Sequence, residues 1–514
     1  MLMLAKTYSA AVVGIDAFPV EVEIHADRKG ANSPSAVSIV GLPDAAVKES
    51  RDRVRSALQS SGCPLLQGTT VINLAPADLR KEGAAFDLPI ALVMLAAAGE
   101  IDGAKLAGAA VVGELALDGT VRPVRGVLSI ALRMREEKQV GALLVPAANA
   151  QEAALASGRI PVFPVGTLRD AADFFQGKPM LPCRTAVADG TAGDGNLPDF
   201  SEVKGQVMAR RAMEIAAAGS HNVLMSGPPG TGKSLISSCL PGILPPMTLE
   251  ETLETSRIHS VLGLLEPGKP LVNRRPFVAP HHTASDVGLI GGGKNPTPGE
   301  ISRAHNGVLF LDELPEFKRN VLEVLRQPLE TGSVSISRAN GSCTFPAKFI
   351  LIAAMNPCPC GRGDYELGCT CKPDEKRRYR KKISGPLLDR IDLHVEVRQL
   401  TQEELLKSPD GESSAAIRER VIAARRIQEE RFRDRNFHAN GQMTGRDLQK
   451  HCRIAPAGQL LLRQAIARFK LSPRAYDRIL KVARTIADLA QSESIQESHL
   501  FEAIGYRGNE RIDA

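Results

Sequence analysis

Eight consecutive residues, Gly227, Pro228, Pro229, Gly230, Thr231, Gly232, Lys233 and Ser234, fit the pattern G-x-x-x-x-G-K-[ST]. Glycines at this spacing let the backbone curl so that its N–H groups face phosphate oxygens, and a helix starting beside them adds the partial positive charge of its N-terminus. In that arrangement Lys233 reaches the β- and γ-phosphates of ATP and Ser234 holds Mg²⁺. The flanks agree, with a short apolar strand in HNVLM and a helix in LISSCL. Further along, GVLFLDELPEF reads as an apolar strand ending in Asp312 and Glu313. An acidic pair after a strand is common in itself. Downstream of a phosphate loop it supplies what phosphoryl transfer still lacks: Asp312 binds Mg²⁺ through water and Glu313 orients the attacking water as general base. A third strand, KFILIAAMNP, ends in Asn356, whose side chain is placed to align that water against the γ-phosphate.

These residues need a scaffold of parallel strands. Residues 199–400 hold buried-type strands followed by the phosphate-loop and carboxylate motifs, the pattern of a parallel sheet with helices on both faces. Residues 1–175 alternate apolar segments such as VINLAP and ALLVP with Ala-rich helical stretches such as PIALVMLAAAGEI, which predicts a separate α/β domain. Between them, 176–198 loses periodicity and gathers Pro, Gly and small polar residues, as a linker does. From 401 to 514 the chain reads as helical throughout, a lid over the nucleotide domain.

Composition narrows the partners. The 514 residues exceed one ordinary core, and 43% hydrophobic with 24% charged residues is the balance of a globular protein. A net charge of +6 is small for this length, so contacts to nucleic acid must come from local clusters. The N-terminus lacks a basic leader and no run approaches the ~18 apolar residues of a membrane span, which predicts a cytoplasmic protein without a membrane partner. Four of nine cysteines crowd into Cys358, Cys360, Cys369 and Cys371. Two C-x-C pairs offer enough thiolates for a structural Zn²⁺ site, with free thiols as the alternative. Directly after them, Lys372 to Lys382 contains seven basic residues, two acidic residues and Tyr379. Arg377, Arg378 and Arg380 could meet nucleic-acid phosphates while Tyr379 stacks on a base; a solvated charge run is the competing reading.

Two segments read as projecting hairpins: one with its tip at Gly291-Gly292-Gly293-Lys294, and SVSISRANGSCTF with Asn340-Gly341 as a two-residue turn. His281 and His282 stand beside the first, open to structural, nucleotide-coupled or metal-binding roles.

The order of phosphate loop, acidic strand, polar strand end, GPLLDRIDLHVEV and helical lid resembles the AAA+ family. The resemblance implies that Arg390 is an arginine finger acting on a neighbouring subunit's ATP and Arg474 a sensor arginine of the lid. A finger given in trans implies a homo-oligomer, usually a hexameric ring. The two hairpins resemble those of the AAA+ branch that contains magnesium chelatases and MCM helicases; in the helicases they touch DNA, which makes Lys294 and Arg338 DNA contacts or, otherwise, plain loop tips. The stretch LRKEGAAFDLPIALVMLAAAGEI with VVGELALDGTVRPVRGVLSIAL resembles the proteolytic domain of Lon-type proteases. The Ser and Lys of that dyad are missing from Gly83-Ala84-Ala85-Phe86 and Val127-Leu128-Ser129, and Lys81 has no serine in the matching turn, which argues against peptide hydrolysis. Over nearly its full length, through IVGLPDAAVKESRDRVRSAL, RPFVAPHHTAS and HNGVLFLDELPEF, the chain is similar to the competence protein ComM (YifB-like) family. That resemblance implies a hexameric helicase driving branch migration on single-stranded and branched DNA; a chelatase-type ATPase subunit or an ATP-dependent protein remodeller or protease is the alternative.

Overall fold

In the strand Asp16–Arg28 every second residue from Val20 to Ala26 is buried, the period of a strand with one wet face. It sits inside a seven-stranded sheet made of β1 (Leu2–Val13), β2 (Asp16–Arg28), β3 (Ala36–Val40), β4 (Gly68–Ala75), β5 (Ala109–Val111), β6 (Ala142–Pro146) and β7 (Val162–Val165). Their order is β3-β4-β2-β1-β5-β6-β7. β2 runs antiparallel to both β1 and β4, and the remaining pairs are parallel. Helix α1 (Asp87–Ala98) is buried along nearly its whole length, as its unbroken apolar sequence requires.

This sheet belongs to one of two compact units, Met1–Thr191 with Thr252–Val272; the other is Ala192–Glu251 with Asn273–Ala514. The computed structural model describes residues 2–28, 36–184, 197–266, 268–293, 295–338, 341–363, 368–406, 411–469 and 471–507. Most of the linker expected at 176–198, Lys294 and the side chain of Arg338 lie outside the described residues. The segment Thr252–Val272, placed by sequence within the nucleotide domain, is held in the first unit by polar contacts. Arg257 donates to the Ile15 carbonyl at 2.9 Å and to Asp16 at 2.5 Å, and the Ser260 hydroxyl donates to Glu152 at 2.9 Å. In the same unit the Lys81 ammonium is bound by the Pro76 carbonyl, and the Ser129 hydroxyl donates to the Ile15 carbonyl at 2.6 Å.

The second unit is built on five parallel strands, β8 (Val223–Ser226), β9 (Phe277–Val278), β10 (Gly307–Leu311), β11 (Phe349–Met355) and β12 (Leu393–Glu396), in the order β9-β10-β11-β8-β12. β10 is buried throughout and β11 at every residue but its first, which is why both read as continuous apolar runs. The two expected hairpins are present as antiparallel pairs, Gly291–Gly292 with Thr297–Pro298 and Ser333–Arg338 with Gly341–Pro346. In the second, Gly341 pairs with Arg338 and so belongs to the return strand, one residue beyond its expected turn position.

The C-terminal helices belong to this same unit. Helix α2 (Pro473–Leu489) starts on a Ser472 cap whose hydroxyl accepts from the Ala475 N–H, and it buries Ala475, Ile479, Val482 and Ile486 on one face. Its Arg478 pairs with Asp392, 2% exposed at the entry to β12, which also accepts from the Asn222 N–H at 3.1 Å and faces the His221 ring at 3.4 Å. Burial alone would raise this carboxyl, but the charge of Arg478, with His221 and Lys481 behind it, holds it well below the usual carboxylate range. Stability from a carboxylate depressed on folding is complete above the unfolded value of about 4 and is lost as pH falls toward the folded one. Asp392→Asn should therefore cost about 3 kcal/mol or more at pH 7, because Arg478 is left without its counter-charge. In denaturant titrations the gap from wild type should narrow as pH drops below about 4; a gap that stays constant with pH would assign the loss to packing.

Candidate functional site

β8 delivers the phosphate loop directly. The Gly227 N–H donates to the Met355 carbonyl at 3.2 Å, and a Cβ at Gly227 would overlap the Val397 carbonyl, so no other residue fits between the two neighbouring strands. Gly230 and Gly232 sit at φ +76° and +88° with open space where a Cβ would point. That space and the following helix, Lys233–Ile243 with Gly232 as its cap, form a concave turn with N–H groups at its lip. Thr231 braces the turn by donating to the Pro228 carbonyl at 2.9 Å. Lys233 is 8% exposed; its ammonium donates to the carbonyls of Gly227 at 2.6 Å and Pro228 at 2.7 Å and reaches Asn356 at 3.5 Å. Burial lowers its pKa, and the Asp312 charge works against that shift.

The acidic pair meets the loop across the sheet edge. The Ser234 hydroxyl donates to Asp312 Oδ2 at 3.0 Å, which brings together the two oxygens that could share a divalent cation. The Asp312 Oδ1 accepts the Glu313 N–H at 2.8 Å. Glu313 has φ +51°, a left-handed conformation that costs a non-glycine residue about 1–3 kcal/mol and turns its carboxylate away from the strand line. That carboxylate lies 3.3 Å from His282 Nδ1. The His282 ring lies against that of His281, tilted by 32° with centroids 4.1 Å apart, and His281 Nδ1 is 2.8 Å from the Thr283 hydroxyl. The vicinal histidines therefore sit at the carboxylates, with His282 as the partner of Glu313; nothing in their spacing from Glu313 along the chain announced the pairing.

Past Asn356 the chain enters the cysteine loop. The sulfurs of Cys358, Cys360 and Cys369 lie 3.3, 3.7 and 3.6 Å apart, and those of all four cysteines fall within 4.8 Å of one another. A disulfide needs about 2.05 Å between sulfurs, whereas tetrahedral Zn–S bonds of about 2.3 Å set the sulfurs about 3.8 Å apart. Within the cluster the Cys360 thiol is pushed down to about 6, first by the Arg362 backbone N–H and then by the Cys358 side chain, while Cys371, against the pull of the Cys360 backbone, is pushed up to about 12 by burial and the Cys360 and Cys358 side chains.

The helix Pro373–Arg380 that follows corrects one expectation. Tyr379 is its one buried residue, 5% exposed, with Lys382 Nζ 5.5 Å from its ring centroid, so no ring face is open to a base. Burial, then the Glu316 charge, push the Tyr379 hydroxyl up to about 12. The physical reason is amphipathic: in PDEKRRYR the aromatic ring is the only large apolar group available to anchor the helix. Its neighbours Arg377, Arg378 and Arg380 are exposed. Arg377 pairs with Asp374 at 2.6 Å, and Arg378 lines a cleft of about 430 Å³ with Arg319, Lys381 and Lys382. Arg390 is 6% exposed and turned into its own chain, donating to the Pro386 carbonyl at 2.5 Å and pairing with Glu330. Arg474 is exposed in the first turn of α2.

Comparison with known proteins agrees along the chain. Residues 199–405 match the family described as magnesium chelatase, subunit ChlI; residues 21–149 match subunit ChlI of Mg-chelatase; and 411–507 match its C-terminal part. Competence protein ComM of Haemophilus influenzae is 44% identical over 517 residues, covering 99% of both chains. The YifB protein of Salmonella typhimurium is 42% identical over 99% of this chain and 98% of its own. The magnesium-chelatase 38 kDa subunit of Cereibacter sphaeroides is 28% identical over only 39% of this chain and 58% of its own. With the strand order, the phosphate loop and the full-length relatives in agreement, the chain belongs to the ComM/YifB family of magnesium chelatase-like AAA+ proteins.

Proposed function

We propose that this protein is an ATP-driven DNA motor that moves branch points in recombination intermediates, working as a homo-oligomeric ring, with hexamer as the expected size. The observation that carries the ATPase part is the joining of Ser234 to Asp312 at 3.0 Å beside a buried Lys233 that reaches Asn356. DNA as the polymer is supported by the full-length likeness to a protein named for competence, against a chelatase likeness confined to 39% of the chain.

ATP with Mg²⁺ supplies the phosphoryl bond that is broken. Lys233 and the N–H groups of Gly230, Thr231 and Gly232 hold the phosphates, and the oxygens of Ser234 and Asp312 hold the cation. Glu313 takes the proton of the attacking water, which Asn356 aligns. His282 is a positioning residue that keeps the Glu313 carboxylate on one bearing. Arg390 exchanges Glu330 for the nucleotide of the next subunit, and Arg474 closes the lid on it. Arg377, Arg378 and Arg380, with Lys294 and Arg338 of the two hairpins, meet DNA phosphates. Cys358, Cys360, Cys369 and Cys371 hold Zn²⁺. No helix among the described residues is long and apolar enough to cross a membrane.

The central experiment is ATP hydrolysis with and without single-stranded, duplex and branched DNA, beside strand exchange on a four-way junction. DNA should raise the rate, the junction should be resolved into duplexes, and Lys233→Ala should abolish both; a wild-type protein that hydrolyses ATP yet never moves the junction would remove the motor. His282→Ala should lower kcat about tenfold with KM nearly unchanged, the split expected when only the general base loses its bearing. An equal rise in KM would make His282 a binding residue. Charge reversal at Arg378, Lys381 and Lys382 should leave basal hydrolysis intact, remove most stimulation by DNA and flatten its salt dependence.

A further inference from the structure

The cysteine loop and the phosphate loop touch. Gly361, between Cys360 and the next turn, has φ +82°, and a Cβ added there would lie 2.9 Å from Cδ and 3.0 Å from Cγ of Pro229. Pro229 is one of the two prolines that shape the phosphate loop, and the Pro228 carbonyl beside it accepts from Lys233 at 2.7 Å. The other end of the cysteine loop is rooted at the same place: Cys358 follows Asn356 by one intervening proline on the extension of β11. The loop is braced internally, with the Gly363 N–H donating to Cys358 Sγ at 3.3 Å, Arg362 to the Gly368 carbonyl at 3.0 Å and Lys376 to the Gly363 carbonyl at 2.7 Å. Four thiols within 4.8 Å therefore gather at one point beside Asn356, with Gly361 against Pro229.

We infer that Zn²⁺ bound by Cys358, Cys360, Cys369 and Cys371 serves as a brace for the phosphate loop, so that metal occupancy sets the affinity for nucleotide. The inference rests on the nucleotide site and zinc assignment proposed above and adds their coupling. Removing the metal lets the three buried thiols and the exposed Cys360 separate; the Gly361 contact is lost, and Pro229 and Asn356 lose the wall that fixes their position. The brace acts before chemistry, on binding of the phosphates, and requires nothing of Glu313 or Arg390.

The test uses the full chain and two readouts, zinc content by elemental analysis and binding of a fluorescent N-methylanthraniloyl ATP. Purified protein should carry about one zinc per chain. Stripping the metal with a mercurial and chelator, or making Cys358→Ser with Cys371→Ser, should weaken nucleotide binding about tenfold or more, and Zn²⁺ should restore the stripped wild type but not the double variant. Gly361→Ala separates the contact from the metal: all four thiols remain, zinc content should stay at one per chain, and nucleotide affinity should still fall. This arm holds even where stripping unfolds the chain, which circular dichroism reports. Protein that never holds zinc would overturn the metal assignment. Zinc-loaded protein whose affinity is unmoved by both stripping and Gly361→Ala would overturn the brace alone. Native protein that binds zinc but no nucleotide would instead sink the ATPase reading on which the brace depends.

Discussion

The strand Phe349–Met355 pairs on one side with the strand that feeds the phosphate loop and on the other with the strand that ends in the carboxylates, and this placement governs the whole nucleotide site. Ser226 lies opposite Met355 and Leu311 opposite Ala353, so the three strands end nearly level, with Asn356 between Gly227 and Asp312. In a parallel sheet buried on both faces the polar side chains can emerge only where the strands stop, and here they stop together. The Gly227 N–H continues the ladder by one bond to Met355 before the chain turns away. That last bond brings Gly227 against the Val397 carbonyl as well, which fixes the loop from both neighbouring strands and explains the absence of a side chain.

The parts of this site that were legible in the sequence are those whose chemistry is local. A phosphate loop must have glycine, lysine and serine at set spacings because one turn of backbone does the work, and Gly227 to Ser234 declare it; the apolar strands before Asp312 and Asn356 declare the sheet edge in the same way. Pairings made across the fold left no such trace. His282 meets Glu313, Arg390 meets Glu330 and Arg478 meets Asp392, and in each case the partners come from different elements. Sequence singled out Arg474 in the motif that also contains Arg478, yet one turn of helix separates an exposed arginine from one committed to a buried carboxylate. The unit boundary at Thr252–Val272 was hidden for a related reason. The helix Leu249–Leu262 buries Thr252, Thr255, Ser256 and Ser260 beside Ile258, so its inner face is largely hydroxyl and its burial is invisible to hydrophobic periodicity.

The helix Pro373–Arg380 shows how one short element can serve two surfaces. Its anchor is Tyr379, and once that residue points inward the adjacent Arg378 and Arg380 must point out. A net charge of +6 spread over 514 residues gives little long-range field, so this outward cluster, with Arg319, Lys381 and Lys382 beside it, is where phosphates of a polymer would be felt. Lys382 lies 5.5 Å over the Tyr379 ring and 3.2 Å from Glu316, whose N–H donates to the Glu313 carbonyl at 2.8 Å, so the basic cluster meets the turn that follows the carboxylates. The aromatic ring that the sequence offered to a base is instead the buried anchor of the helix that presents these cations.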